Sequence, residues 1–207
     1  MGDVRANPPL AVVFDVGRVL YQWNLRFLFA KLIADPAELE LFVTNVVTED
    51  WHGQSDAGRP LADMVPERIA SFPDQAALIE AYRDRFLETI PAPVEGTHAL
   101  VARLAARGVA LHALSNFGTE FWAQFRPTAP VFDAFDQLVI SGEERCAKPD
   151  AAIYAILERR TGLAGAELLF VDDRADNIAA AEARGWRGHV FTSAAALEEE
   201  LVALGLL

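Results

Sequence analysis

The chain has a single thiol, Cys146, so it can form no intramolecular disulfide, and a reducing, cytoplasmic setting with Cys146 as a packing residue is expected. Basic residues are scarce, 18 Lys and Arg against 30 Asp and Glu. That balance excludes a nucleic-acid surface, which needs clustered cations. No stretch approaches the roughly 18 uncharged apolar residues of a membrane span. Met1 to Pro9 lacks the basic start and apolar core of a secretion signal, so neither membrane nor export is expected. The four histidines, His52, His98, His112 and His189, have no metal-ligand spacing, and His112, inside a strand, is expected to be a satisfied core residue. Strand signals are missing from Tyr21 to Pro93, where apolar residues recur at helical spacing as in Leu25-Phe27-Leu28-Phe29-Leu32-Ile33.

What is present is organised around Leu10-Ala-Val-Val-Phe-Asp15-Val-Gly17. Its short apolar run reads as a strand buried on both faces of a parallel sheet. Asp15 ends that strand at the edge where open α/β sheets bind ligands, which makes it a candidate nucleophile or metal ligand as much as a turn former. The helical block that follows holds about four helices, one opened by Asp35-Pro36 and one by Pro73-Asp74. Between them Thr48 to Pro60, with two glycines and a proline, reads as a loop carrying Trp51, His52, Asp56 and Arg59. After Pro93 strands and helices alternate. Strands over 109–114, 137–140, 167–171 and 188–192 are separated by helices over 96–107, 121–125, 151–160 and 175–184. That pattern predicts an α/β fold, a Rossmann-like parallel sheet with right-handed crossovers and an inserted helical domain. The expected division is a core of residues 1–20 and 94–207 and an insertion of residues 21–93.

Asp15, Ser115-Asn116 and Asp172-Asp173 all fall at strand ends, and Lys148-Pro149 precedes a helix. A parallel sheet brings such ends to one edge. Clustered carboxylates call for a divalent cation, and oxygen ligands without His or Cys point to Mg²⁺. Lys148 adds a positive charge that can keep a nucleophile ionised and pair with phosphate oxygens.

Four segments, Phe14-Asp15-Val-Gly17-Arg-Val-Leu20, Leu114-Ser115-Asn116, Lys148-Pro149-Asp150 with Ile153-Tyr154, and Phe170-Val-Asp172-Asp173-Arg-Ala-Asp-Asn177-Ile178, resemble in order the motifs of the haloacid dehalogenase-like hydrolases. The resemblance covers essentially the whole chain and implies a helical cap inserted after the first motif. It implies Asp15 as aspartyl nucleophile, Ser115 and Asn116 as phosphate-binding donors, and Lys148 as the charge-stabilising lysine. Asp173 would be a metal ligand with Asp172 beside it, Gly17 would give its backbone carbonyl to the metal, and Asn177 would hold the metal loop. Asp176 is expected to be solvated or capping.

One departure stands out: most phosphatases of the family carry a second aspartate where this chain has Gly17, and that residue is the general acid and base. Arg18 is either solvent-facing or a contact to an anionic substrate. Arg59 and Trp51 are the expected cap contacts to substrate, and Trp51 has packing as its alternative. The implied activity is a Mg²⁺-dependent phosphatase of a small phosphorylated metabolite, with sugar phosphates leading. A 2-haloacid dehalogenase and a catalytically impaired phospho-ligand-binding protein are the alternatives. No oligomeric state is implied.

Overall fold

Ala11–Phe14 (β1) is wholly buried, and its side chains alternate between two apolar clusters, Val12 and Phe14 facing one and Ala11 and Val13 the other. A strand buried on both faces belongs in the middle of a covered parallel sheet. In the computed structural model, which describes residues 8–207, β1 is the central strand of five. All but Pro8 and Pro9 of the N-terminal stretch read for a secretion signal lies outside the described residues.

The elements then follow in chain order: helices Leu25–Phe29 (α1), Pro36–Asn45 (α2), Glu49–Asp56 (α3), Leu61–Ser71 (α4), Ala76–Asp84 (α5) and Thr97–Ala106 (α6), strand Ala110–Ser115 (β2), helix Thr119–Phe125 (α7), strand Gln137–Ile140 (β3), short helix Ser141–Glu144 (α8), helix Ala151–Thr161 (α9), strand Leu168–Asp172 (β4), helix Ala175–Glu182 (α10), strand Arg187–Val190 (β5) and helix Ala194–Ala203 (α11). The sheet order is β3-β2-β1-β4-β5 with every pair parallel. The strand order reverses between β1 and β4, which makes their carboxyl ends the topological switch point where such sheets bind ligands.

The anticipated helix starts at Asp35 and Asp150 are real N-caps, each side chain accepting from the backbone two residues on. Two expectations need correction. Thr48 to Pro60 is mostly helix: the Thr48 hydroxyl accepts from Trp51 N–H and Glu49 and Asp50 fill the first turn, so the cap outweighs the helix-weakening Gly53. His112 is buried with neither ring nitrogen hydrogen-bonded among the described residues; burial pushes it down, so it sits there neutral. Helix α11, capped by Ser193, adds an element beyond the last anticipated strand.

The helices from α1 to α5 and the 3₁₀ turn Phe86–Thr89 leave and rejoin the sheet at one place. There Tyr21 bridges Pro93, and Gln22 N–H and Val94 N–H donate to Ala92 and Leu20. This insertion shares one apolar cluster with a face of the sheet. Phe86 stacks on Phe121 of α7 at 3.7 Å, and Tyr82 meets the same ring edge-on at 5.2 Å. None of the helices among the described residues is long and apolar enough to cross a membrane.

Candidate active site

Asp15 sits one residue past β1, its N–H held by the Val171 carbonyl of β4 at 2.9 Å, so the switch point sets its position. Its Oδ1 accepts from Val16 N–H at 2.7 Å and from Lys148 Nζ at 2.9 Å. None of the hydrogen bonds among the described residues uses Oδ2. Lys148, 5% exposed, also donates to Asp172 Oδ2 at 2.6 Å, so one ammonium ties the ends of β1 and β4 together.

Asp172 is fully buried and saturated with donors: Asn177 Nδ2 reaches both of its oxygens at 3.0 Å and Arg174 N–H reaches Oδ1 at 2.8 Å. Tyr154 of α9 in turn donates to the Asn177 carbonyl at 2.9 Å. Asp173 is half-buried and opens on the cavity, and Asp176 is exposed and paired with Arg174.

The charges explain the electrostatics. Burial pushes the Asp15 carboxyl up to about 7; Lys148 opposes this, while Asp172 and Asp173 add to it. Asp173 is raised by burial and then by Asp172, against Arg18 and Lys148. Burial alone would lower Lys148, but the carboxylates of Asp15 and Asp172 outweigh it and its pKa is raised. Asp15, Asp172 and Asp173 each offer an oxygen within 4.8 Å of the others, with no sulfur or imidazole among them. Three carboxylates facing one ammonium, one of them with an unengaged oxygen, fit a hard divalent cation.

Over this edge lies a cavity of about 370 Å³ lined by Asp15, Gly17, Arg18, Asn116 and Asp173 from the sheet and by residues of the insertion. Ser115 is buried at the end of β2. Asn116 borders the cavity, yet its carboxamide is spent on Lys148, Oδ1 accepting from the Lys148 N–H at 2.8 Å and Nδ2 donating to its carbonyl at 3.0 Å. Arg18, in the left-handed region at φ 60°, lies over the Trp23 ring, bonds Glu49 of α3 at 2.5 Å and approaches Asp173 at 3.9 Å.

Two anticipated substrate contacts are placed elsewhere. Arg59 turns to Gln54 and Glu67 on the insertion's own helices and does not border the cavity. Trp51 is 6% exposed and packs on Tyr82, with Arg68 over its ring. The insertion meets the cavity instead with Trp23, Glu49, Asp50, His52, Asp56 and Phe86. His52 and Asp56 stand four apart on one face of α3; the i, i+4 spacing is the signal that a helical reading of Thr48 to Asp56 would have supplied.

This fold with this edge defines a hydrolase of one family: residues 10–185 match the haloacid dehalogenase-like hydrolase model, and the chain belongs to that family. It is similar to the sesquiterpene phosphatase astK of Aspergillus oryzae, 27% identical over 191 residues that cover 92% of this chain and 94% of that protein. Among solved structures it is similar to a haloacid dehalogenase family enzyme of Bacteroides thetaiotaomicron in complex with magnesium and inorganic phosphate. That match has a TM-score of 0.67 at 19% identity and covers 88% of this chain and 94% of the other. It is likewise similar to the L-2-haloacid dehalogenase of Xanthobacter autotrophicus with covalently bound chloropropionic acid, with a TM-score of 0.64 at 22% identity, over 94% and 83% of the two chains.

Proposed function

We propose that the chain is a Mg²⁺-dependent phosphatase of a small phosphorylated metabolite, with the helical insertion as its cap. The observation that carries the reading is the meeting of Asp15, Asp172 and Asp173 within 4.8 Å of one another around buried Lys148. Asp15 Oδ2 attacks phosphorus while Oδ1 stays fixed by Lys148 and the Val16 N–H; the phosphorus–oxygen bond to the leaving group breaks and an aspartyl-phosphate forms on Asp15. Water then attacks that phosphorus, the bond to Asp15 breaks, and inorganic phosphate leaves with the Asp15 carboxylate restored. Asp15, Asp173 and the Gly17 carbonyl, with Asp172 beside them, would hold Mg²⁺, which would supply positive charge for the phosphoryl oxygens. Lys148 supplies further positive charge beside the nucleophile, and Asn116 keeps the Lys148 backbone where its ammonium can do so. Ser115 is the candidate side-chain donor to phosphate.

Sugar phosphates head the substrate panel. The aromatic wall of Trp23, Phe86 and Phe117, together with a sesquiterpene phosphatase among the relatives, adds terpenoid monophosphates to it. Phosphate release from such a panel, p-nitrophenyl phosphate included, is expected with Mg²⁺ and is expected to vanish in EDTA. Chloride release from 2-chloropropionate in EDTA without any phosphatase activity would assign the haloacid reaction instead. Metal-independent binding of phosphoesters with no turnover of either kind would assign a binding protein.

A further inference from the structure

Gly17 leaves the position two residues after the nucleophile without a proton donor, although space does not forbid one. Its φ is not in the left-handed region, and an added Cβ would meet only the Trp23 Cβ, at 3.7 Å. Yet an alkoxide leaving group needs a proton, and the water that follows must lose one. The cavity holds another carboxyl. Asp56, at the end of α3, is 8% exposed and borders the same cavity as Asp15, and its Oδ1 is buried with no hydrogen bond among the described residues.

Asp56 is also held in place. His52 Nε2 lies 3.4 Å from Asp56 Oδ1, and His52 Nδ1 lies 2.7 Å from the Tyr82 hydroxyl. That hydroxyl is fully buried and has His52 as its hydrogen-bond partner. In the tautomer in which Nδ1 accepts from the hydroxyl, the His52 Nε2–H faces Asp56. Trp23 and Phe86 both stack on the imidazole, at 5.1 and 5.4 Å between ring centroids. From the sheet, the Ser141 hydroxyl donates to the Asp56 carbonyl at 2.5 Å, which ties this end of α3 to the core.

We infer that Asp56, oriented by His52 and Tyr82, protonates the leaving-group oxygen and then takes the proton of the attacking water, a task for which position 17 carries no carboxyl. In the first step the Asp56 proton passes to the oxygen released from phosphorus. In the second the Asp56 carboxylate receives a proton from the water that attacks the aspartyl-phosphate, so the residue ends each cycle as it began. Its environment suits both halves: burial raises the carboxyl above the ordinary range, and His52, the Gly118 backbone N–H and Lys148 act against that rise. His52 and Tyr82 are positioning residues.

The proposal rests on the phosphatase reading, and the test separates the two. Pre-steady-state and steady-state rates with Mg²⁺, at substrate above enzyme, are measured for phenyl phosphates whose leaving groups range from p-nitrophenol to phenol, in the wild type and in Asp56→Asn. The wild type is expected to depend weakly on the leaving group. Asp56→Asn is expected to keep the p-nitrophenolate burst but to lose about 10²–10⁴-fold on phenyl phosphate. It should also turn over more slowly after the burst, because the water loses its base. Gly17→Asp in the Asp56→Asn background is expected to restore the weak dependence. Equal rates on both esters in Asp56→Asn, or equal losses on both in a variant that still unfolds cooperatively, would overturn the proposal. Should Asp56→Asn fail to fold, Gly17→Asp alone decides: an unchanged leaving-group dependence supports a donor already in place, and a much weaker one contradicts it. A wild type that releases no phosphate from any of these esters with Mg²⁺ would remove the phosphatase reading, and the proposal with it; a wild type that turns them over beside an indifferent Asp56→Asn removes only the proposal.

Discussion

Burial pushes the Asp15 carboxyl up to about 7 from the ordinary 3.8; Lys148, 2.9 Å from Asp15 and 2.6 Å from Asp172, opposes that rise, and Asp172 and Asp173 add to it. A raised carboxyl holds its proton more tightly in the folded than in the unfolded chain. The stability this confers is complete below about pH 3.8 and is lost as pH rises through about 7. In EDTA, Asp15→Asn, which keeps the neutral shape, is therefore expected to gain stability relative to the wild type between pH 5 and pH 8. Thermal unfolding of both chains checks it, and a difference independent of pH would contradict the burial of an ionised Asp15. In Mg²⁺ the gain should shrink or reverse, since the cation binds the ionised form. At this scale the meeting of Asp15, Lys148, Asp172 and Asp173 in the candidate site was legible, because apolar runs and a helix start mark the element ends they sit on. Asn116 was placed at the site, but its engagement with the Lys148 backbone depends on side-chain direction, which no spacing encodes.

Helix α3 decides how the insertion meets the sheet. Its Ser55 lies so close to the turn after β2 that a Cβ on Gly118 would stand 2.0 Å from Ser55 Oγ and 3.2 Å from its Cβ. The Leu61 N–H adds a bond to Glu120 of α7 at 3.0 Å. Gly118→Ala is expected to destabilise by about 1–3 kcal/mol as an overpacked contact, measured by denaturant unfolding. Ser55→Ala, which removes the nearer atom, should recover part of that loss in the double variant. Additive losses would mean that the two residues do not touch. Strands β2, β3 and β4 were readable to within a residue from their apolar runs, whereas β5, partly exposed at the sheet edge, ends two residues before the expected Thr192. Helix α3 was not readable, because Gly53 and Gly58 suggest a loop while the hydrogen bond that starts the helix comes from one threonine. The position of Arg59 was hidden for the same reason: in a loop a long side chain can reach the cleft, whereas in the folded chain it follows α3 and turns to Glu67.

For the molecule as a whole, the strand order β3-β2-β1-β4-β5 turns sequence distance into proximity, and the insertion covers what the sheet leaves bare. Phe121 and Phe117 of the sheet side are buried against Phe86, so removing residues 24–90 strips an aromatic face of its cover. At roughly 1.5–3 kcal/mol for each fully buried large apolar side chain, that loss rivals the stability of a domain. The truncated chain is expected to bind a hydrophobic dye and to unfold without a cooperative transition; a sharp transition near that of the full chain would show two independent cores. The central claim, that Asp15 attacks phosphorus, is tested most directly by acid-quenching a turnover and locating the transferred phosphoryl group by mass spectrometry of the protein's peptides. A phosphoryl group on the peptide bearing Asp15, released by hydroxylamine and absent from Asp15→Asn, is the expected result. A phosphoryl group on another residue, or unchanged turnover in Asp15→Asn, would contradict it.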